Sequence, residues 1–240
     1  MDRKTRMKGD ARVRETVTTG WSLHAQERAD AAALRIKRRG AWRTWSWQEV
    51  ASVLENLEAK QGGAAAPSSE DGGMVPVAFS FHDEVLLLGD RSWRDSPPSV
   101  VRAWTEAGFV LALAEGDGDE LADLREHRPH VVVGHSLFFE RWYADMADAI
   151  GRQRGFRRRV LAPLLAGERT SAGIMRRWVR WRLKASMGLG RARVLWIIDE
   201  TLSAAAVAFF RSLGVDTVFS VSQIAVDGAS TAAVPRALSA

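Results

Sequence analysis

Short apolar runs alternate with amphipathic stretches along most of the chain, and this alternation predicts strands followed by helices. The predicted strands cover 75–79, 85–88, 109–114, 130–133, 194–198 and 217–221. The predicted helices cover 98–107, 119–127, 137–150 and 203–213, with a long basic helical stretch that ends near residue 187. Strands this short and apolar, separated by helices, are typical of a parallel sheet covered by helices on both faces.

The amino-terminal part of the chain has a different pattern. Residues 21–39 are rich in alanine and end in three cations before Gly40, which predicts a helix with a normal stop signal. A short strand at 41–47 then leads into a second helix. Ser46 and Glu49 have the spacing of a capping box at the start of that helix.

These patterns divide the chain into five segments. They are a charged flexible lead-in (1–20), a helix–strand–helix unit (21–60), a glycine- and alanine-rich linker (61–73), an α/β core (74–226) with a basic helical insertion (151–193), and a small polar frayed tail (227–240). We therefore expect an α/β protein with one main core.

The bulk composition excludes several classes of protein. The 240 residues are 46% hydrophobic and 26% charged, which is ordinary for a globular chain. There is no cysteine, so disulfides and cysteine-based zinc sites are excluded. No uncharged apolar run has the length of a spanning helix or a secretory signal. We expect a cytoplasmic protein, peripheral to the inner face of the membrane at most.

The formal charge of +5 is concentrated in one segment. Between Arg152 and Arg193 there are thirteen Lys or Arg residues and a single acid, Glu168. Such a segment suits an anionic partner, which would be a nucleic acid, an anionic lipid or an anionic small ligand. The alternative is a solvated helix face.

Within that segment, 174–187 predicts an amphipathic helix. One face carries Ile174, Trp178, Trp181 and Ala185, and the other carries Arg176, Arg177, Arg180 and Lys184. Arginine combined with interfacial tryptophan favours contact with an anionic lipid surface, and nucleic acid is the less favoured partner. A helix packed on its own domain has the same pattern, so that alternative stays open.

Four segments, taken in chain order, carry a resemblance to a known family. They are 33–50, with Thr-Trp-Ser-Trp-Gln-Glu at a helix start; 123–141, with Arg-Pro-His before an apolar run; the basic insertion ending at 187–193; and 202–215, with Phe-Phe before Leu-Gly. Together they resemble the amino-terminal domain of AMP-forming long-chain acyl-CoA synthetases. The resemblance implies a partial adenylate-forming domain, with a mostly parallel sheet covered by helices.

The family uses ATP, Mg²⁺ and CoA, but this sequence departs from it at the nucleotide positions. No Ser/Thr/Gly-rich loop ending in Pro-Lys-Gly is present to hold the phosphates. The family's adenine loop falls on Asp199, Glu200 and Thr201, where small residues are expected. Its Tyr-Gly-x-Thr-Glu signature falls on 221–225, with Ser222, Ile224 and Ala225 at the degenerate positions. Ala225 stands in place of the family's Mg²⁺-binding glutamate.

The remaining family elements are also altered. The Gly-Val-Pro-Arg element of the acyl site falls on Gly134, His135 and Ser136, without its proline and arginine. The ribose-binding aspartate and the mobile carboxyl-terminal domain with its catalytic lysine have no counterpart in the sequence. Because these elements are altered, we expect no catalytic residue and no cofactor. ATP, Mg²⁺ and CoA would be used only if the chain is an active ligase.

Two further groups of polar residues have candidate roles. Asp199 and Glu200 follow a predicted strand, where α/β folds place ligands, although a solvated turn before a helix cap at Ser203 is the simpler interpretation. His127 and His130, with His135, flank one strand. We expect them to be structural, because no fourth zinc ligand is evident.

The leading hypothesis is a non-catalytic or defective acyl-CoA-synthetase-like protein that binds an acyl group, an anionic lipid surface or a partner protein at an open sheet edge. An active long-chain fatty-acid–CoA ligase that needs a partner chain is the second hypothesis. A basic peripheral-membrane module is the third. Nucleic acid is not expected to be the partner.

Overall fold

A seven-stranded sheet organises the computed structural model, which describes residues 20–61, 77–88, 98–115, 120–167, 174–198 and 202–219. The strands are β1 (Ala32–Arg38), β2 (Ala41–Ser46), β3 (Glu84–Leu87), β4 (Val110–Leu113), β5 (Val131–Gly134), β6 (Val194–Ile197) and β7 (Asp216–Phe219). Their order in the sheet is β2-β1-β4-β3-β5-β6-β7. Only the β1–β2 hairpin is antiparallel, so the predicted, mostly parallel α/β fold is confirmed.

Eight helices accompany these strands in the described ranges. They are α1 (20–27), α2 (Trp47–Gln61), α3 (Pro98–Ala107), α4 (Glu120–His127), α5 (Ser136–Gly151), α6 (Phe156–Leu165), α7 (Ile174–Ser186) and α8 (Ala204–Ser212). The long basic stretch predicted as helical therefore contains two separate helices, α6 and α7. Residues between 167 and 174 lie outside the described part.

Alternate strand residues enter two apolar layers on opposite faces of the sheet. Leu86 and Val132 pack with side chains of α4, α5, α6 and α8. Val85 and Val131, their neighbours in sequence, pack with α2 and α3. Because successive strand side chains point to opposite faces, these two clusters are the two sides of one covered sheet.

The direction of the strand connections changes in the middle of the sheet. β3 connects to β4 on one side, whereas β5 connects to β6, and β6 to β7, in the opposite direction. In open α/β sheets the crevice at such a change, at the carboxyl ends of the strands, is the usual ligand position. Here it lies between the ends of β3 and β5.

The prediction of one helix over 21–39 was wrong for its second half. The helix ends at residue 27, and Ala32–Arg38 is strand β1. Leu34 and Ile36 alternate with charged residues, and they pair with Leu111 and Leu113 of β4. Pairing on both sides of β1 overrides the helical propensity of its alanines.

Most other predicted elements are confirmed within one or two residues, with one exception. The predicted strand at 75–79 is wrong in its described part, because 77–79 form no strand. The predicted linker at 61–73 lies outside the described residues after Gln61, as do the lead-in before residue 20 and the tail.

Local hydrogen bonds fix the hairpin and the helix that follows it. The backbone N–H of Ser46 donates to Glu49 Oε2 at 2.7 Å, and the backbone N–H of Glu49 donates to Ser46 Oγ at 3.3 Å. This reciprocal pair is the predicted capping box of α2. At the other end of β1, the Glu115 carboxylate accepts the backbone N–H groups of Arg39 and Gly40.

Candidate functional site

The described side of the crevice is formed by the end of β5 and the start of α5. Gly134 is the last residue of β5, and His135 occupies the N-cap of α5 in an extended conformation. A Cβ on Gly134 would lie 3.4 Å from the Phe139 ring and 3.6 Å from Leu88. The side of Gly134 is therefore occupied by tightly packed apolar groups.

The three predicted acyl-site positions are adjacent in space but differ in exposure. His135 is exposed, whereas Ser136 is buried at the first position of α5. Leu137, the next residue, is 59% exposed at the same edge. The side chains behind them, Phe139 and Trp142, belong to an aromatic layer between α5 and α8 that includes Phe209 and Phe210.

The carboxylate of Glu140, on α5, lies at the N-terminus of α8. Glu140 accepts a hydrogen bond from the backbone N–H of Ser203 and another from its hydroxyl, at 3.0 Å. Ser203 is the N-cap of α8, and its Oγ accepts the backbone N–H of Ala206 at 3.2 Å. A helix N-terminus at this edge of a sheet is a common anion position. Here the protein's own carboxylate lies beside it.

Glu140 is a site residue that the sequence reasoning did not single out. It lies within the resemblance segment 123–141, four residues after Ser136, where a single acidic residue on a helix face looks like a solvated side chain. Its partner Ser203 is 63 positions later, so no local pattern predicts the contact.

The predicted nucleotide-site positions Asp199, Glu200, Thr201, Ser222, Ile224 and Ala225 all lie outside the described residues. The described ends of the flanking elements are β6, which ends at Ile197, and β7, which ends at Phe219. The backbone N–H of Ile198 donates to the Gly134 carbonyl at 3.2 Å, which places the end of β6 beside the end of β5.

The opposite, amino edge of the sheet carries an ionic cluster. Asp83 Oδ2 lies 2.7 Å from an Arg193 guanidinium nitrogen. Glu84 bridges Arg35 of β1 and Arg191, with both N–O distances at 3.2 Å. These pairs join β1, the start of β3 and the segment before β6. Their geometry indicates a structural role at the edge away from the crevice.

Two histidines near this edge make contacts within the fold. His130 Nδ1 accepts the backbone N–H of Glu84 at 3.0 Å, and burial lowers the pKa of His130. His127 packs on Trp42 with ring centroids 5.1 Å apart, and burial also lowers the pKa of His127. In the part of the chain that the structure describes, no three His, Asp or Glu side chains are arranged to hold a metal ion.

Helix α7 turns its two tryptophans toward solvent. Trp178 is 52% exposed and Trp181 is 61% exposed, and Arg177 and Arg182 are exposed beside them. The Arg182 guanidinium lies 5.2 Å from the centroid of the Trp178 ring, a cation–π contact. Arg182 was not among the predicted contact residues.

The opposite face of α7 packs on the protein. Leu183 packs against the core, and Lys184 is half-buried, with its Nζ donating to the Gly214 carbonyl at 3.3 Å. Arg180 is also partly buried. The side chains of Ile174 and Arg176 lie outside the described side chains. Among the described side chains, Trp178, Trp181 and Arg177 are therefore exposed, whereas Arg180 and Lys184 are partly buried.

Along the described ranges, no helix combines the length and the apolar character that a membrane crossing requires.

Fold and site together define an α/β protein whose described residues form a mostly parallel seven-stranded sheet covered by helices. Neither a family model nor a curated protein matches the chain. A solved structure that matches is the fatty acid AMP ligase from Legionella pneumophila, with 13% identity and a TM-score of 0.20 over 52% of this chain and 20% of the ligase. The chain spans about a fifth of the ligase's length.

Proposed function

We propose that this protein is an acyl-CoA-synthetase-like protein that acts by binding and has no self-sufficient ligase activity. Its partner would be an acyl group, a lipid surface or another protein. The proposal combines the sequence resemblance with the contacts at the carboxyl edge of the sheet.

The observation that carries the proposal is the position of the Glu140 carboxylate. It accepts two hydrogen bonds from Ser203 at the N-cap of α8. A polyphosphate bound near this helix would meet a fixed negative charge, whereas adenylation requires donors and counter-charges around the phosphates. The sequence also lacks a lysine-containing phosphate loop.

The segments that carry the resemblance support the proposed relationship because they correspond to defined elements of the fold. Residues 33–50 contain the β1–β2 hairpin and the start of α2, and 123–141 contain the end of α4, β5 and the start of α5. Residues 202–215 contain α8. The order of these elements follows the order expected of the family.

A binding function also needs an accessible surface. β2 and β7 are the outer strands of the sheet in the described residues, so either outer edge is a candidate position for a partner strand. The exposed face of α7 is a second candidate surface.

Titration of the purified chain with ATP and Mg²⁺, followed by calorimetry, tests the proposal. We expect no binding tighter than about 100 μM, which corresponds to roughly 5–6 kcal/mol. A parallel assay would measure pyrophosphate release with ATP, Mg²⁺, CoA and fatty acids of several chain lengths. A known ligase in the same assay is the positive control.

Either tight ATP binding or pyrophosphate release that depends on fatty acid would overturn the proposal in favour of an active ligase. If activity appears only after another protein is added, the ligase hypothesis with a partner chain is supported instead. Retention of radiolabelled fatty acid without ATP would identify the acyl group as the bound partner.

A further inference from the structure

Two neighbouring indole rings are exposed on the outer face of α7. Trp178 and Trp181 are three residues apart, so their side chains lie side by side on the helix surface. They are 52% and 61% exposed, and Ala185 continues the same stripe one turn later. Exposed large aromatic side chains in a contiguous patch mark an interaction surface.

The charges around this aromatic stripe have one sign. Arg177 and Arg182 are exposed on its two flanks, and α7 contains no acidic residue. The wider segment from Arg152 to Arg193 has thirteen cations and one acid. Exposed Arg158 and Arg159 on α6, which contacts α7, belong to that segment. The complementary partner is therefore an anionic surface with an apolar layer accessible to indole rings.

We propose that the exposed face of α7, formed by Arg177, Trp178, Trp181, Arg182 and Ala185, docks onto an anionic lipid bilayer. The helix would lie in the plane of the bilayer surface, with both indoles at the level of the headgroups and the arginines on lipid phosphates. Tryptophan prefers this interfacial position because its ring is apolar and its N–H is polar.

The contacts between α7 and the rest of the protein fix the orientation of its exposed face. Lys184 Nζ donates to the Gly214 carbonyl at 3.3 Å, and Leu183 packs against the core. At the helix end, Arg125 Nε donates to the Ser186 carbonyl at 2.8 Å, and Met187 is buried. Because one face is held by these contacts, the tryptophans stay outward without any rearrangement of the helix.

A nucleic-acid duplex is the less fitting partner for this face. Contacts to duplex phosphates require the cations alone, and two adjacent exposed indoles between them would add nothing to such contacts. A bilayer uses both the indoles and the cations at once. Lys184, although basic, faces the α8–β7 turn and is not part of the docking face.

This inference rests on the proposed binding function, for which it names the surface. An active ligase could carry the same lipid-binding face, so the two proposals can fail separately. Flotation with vesicles of phosphatidylcholine, with and without an equal part of phosphatidylglycerol, tests it without nucleotide. The outcome is therefore separate from that of the ATP titration.

We expect the unaltered chain to float with the anionic vesicles and much less with neutral ones. The Trp178→Ala/Trp181→Ala variant should lose about tenfold in partition coefficient, because two aromatic rings no longer leave water. Arg177→Gln and Arg182→Gln should each lose about fivefold, and added salt should weaken binding of the unaltered chain. Quenching of tryptophan fluorescence by lipids brominated near the headgroup should disappear in the double tryptophan variant.

The matched control is Leu23→Ala/Val53→Ala, which removes two exposed apolar side chains from α1 and α2 on the other side of the sheet. Its vesicle binding should equal that of the unaltered chain. Circular dichroism and urea unfolding check that every variant is folded. Equal flotation of the double tryptophan variant and the unaltered chain would overturn the proposal. So would preferential binding of a mixed-sequence DNA duplex that both tryptophan substitutions leave unchanged.

Discussion

Lys37 of β1 and Asp123 of α4 form an ion pair in which both side chains are nearly withdrawn from solvent. The distance from Nζ to Oδ1 is 2.5 Å, and the two side chains are 12% and 2% exposed. The same ammonium lies 2.9 Å from Glu126 Oε2. Hydrogen bonds to the two carboxylates hold the pKa of Lys37 well above its ordinary value, so the lysine stays charged throughout the neutral range.

We therefore expect Lys37→Met to lower the free energy of unfolding by about 3–5 kcal/mol, because it leaves a buried carboxylate without its counter-charge. Urea unfolding followed by circular dichroism measures the change. The matched control is Arg102→Met in the exposed pair Arg102–Glu106, which should cost less than about 1 kcal/mol. Equal losses in the free energy of unfolding for Lys37→Met and Arg102→Met would contradict this interpretation. The double variant Lys37→Met/Asp123→Leu removes the unpaired carboxylate as well, so it should recover much of the stability that Lys37→Met loses.

Much of the fold follows from the local pattern of the sequence. The capping box of Ser46 and Glu49, the short apolar strands and most of the helices were predicted because each depends on neighbours within one turn or one strand. Strand β1 was missed because its alanines favour a helix, while Leu34 and Ile36 become strand residues through contacts with β4, more than 70 positions away.

The candidate site was less predictable for the same reason. The pattern separated aromatic from basic positions on α7, but it could not tell that Lys184 packs on the protein while Arg177 is exposed beside the tryptophans. The half-buried position of Lys184 depends on the carbonyl of Gly214, and that of Glu140 depends on Ser203. Such contacts exist only once the sheet is assembled.

Gly188 fixes the turn after α7, and its substitution should be costly. Its φ of +80° belongs to the left-handed region, and a Cβ would lie 2.5 Å from the backbone carbon of Leu124. Gly188→Ala therefore combines backbone strain with a backbone clash. Gly214→Ala is the matched control, since its φ is +74° and no atom lies within 4 Å of the added Cβ.

We expect Gly214→Ala to cost about 1–2 kcal/mol from the backbone conformation alone, and Gly188→Ala to cost about 1–3 kcal/mol more. Urea unfolding of the two variants beside the unaltered chain measures the difference. If both variants unfold at the same urea concentration, the close approach of α4 to residue 188 does not constrain the turn.

The stability of the protein should decrease as the pH falls below about 6.5. Burial lowers the pKa of His24, His127 and His130. Below the ordinary pKa of histidine, the unfolded chain binds protons that the folded chain does not yet bind, so acid favours unfolding. Each such histidine contributes at most about 1.4 kcal/mol per pH unit, and above about pH 7 the contribution vanishes.

Urea midpoints measured between about pH 7.5 and about pH 5.5 test this slope. His127→Phe is the informative variant, because it keeps an aromatic ring against Trp42 and removes a buried Nε2 that has no hydrogen-bond partner. We expect its pH dependence to be shallower, with no loss of stability at neutral pH. A slope that is unchanged in this variant would exclude His127 as a contributor.

The contact between Glu140 and Ser203 should appear as a coupling energy. Ser203→Ala removes the side-chain cap of Ala206 and one donor to Glu140, so we expect it to cost about 1–2 kcal/mol. Glu140→Ala leaves the backbone N–H of Ser203 without its carboxylate partner and should cost a similar amount. Because the two changes remove a shared interaction, the double variant should lose less than the sum of the single losses, by at least about 0.5 kcal/mol.

Ser52→Ala, on the exposed face of α2, is the control, and its free energy of unfolding should stay within about 0.5 kcal/mol of that of the unaltered chain. Strictly additive losses would mean that the Ser203 hydroxyl does not interact with Glu140, and one of the two contacts that place this carboxylate at the start of α8 would be lost.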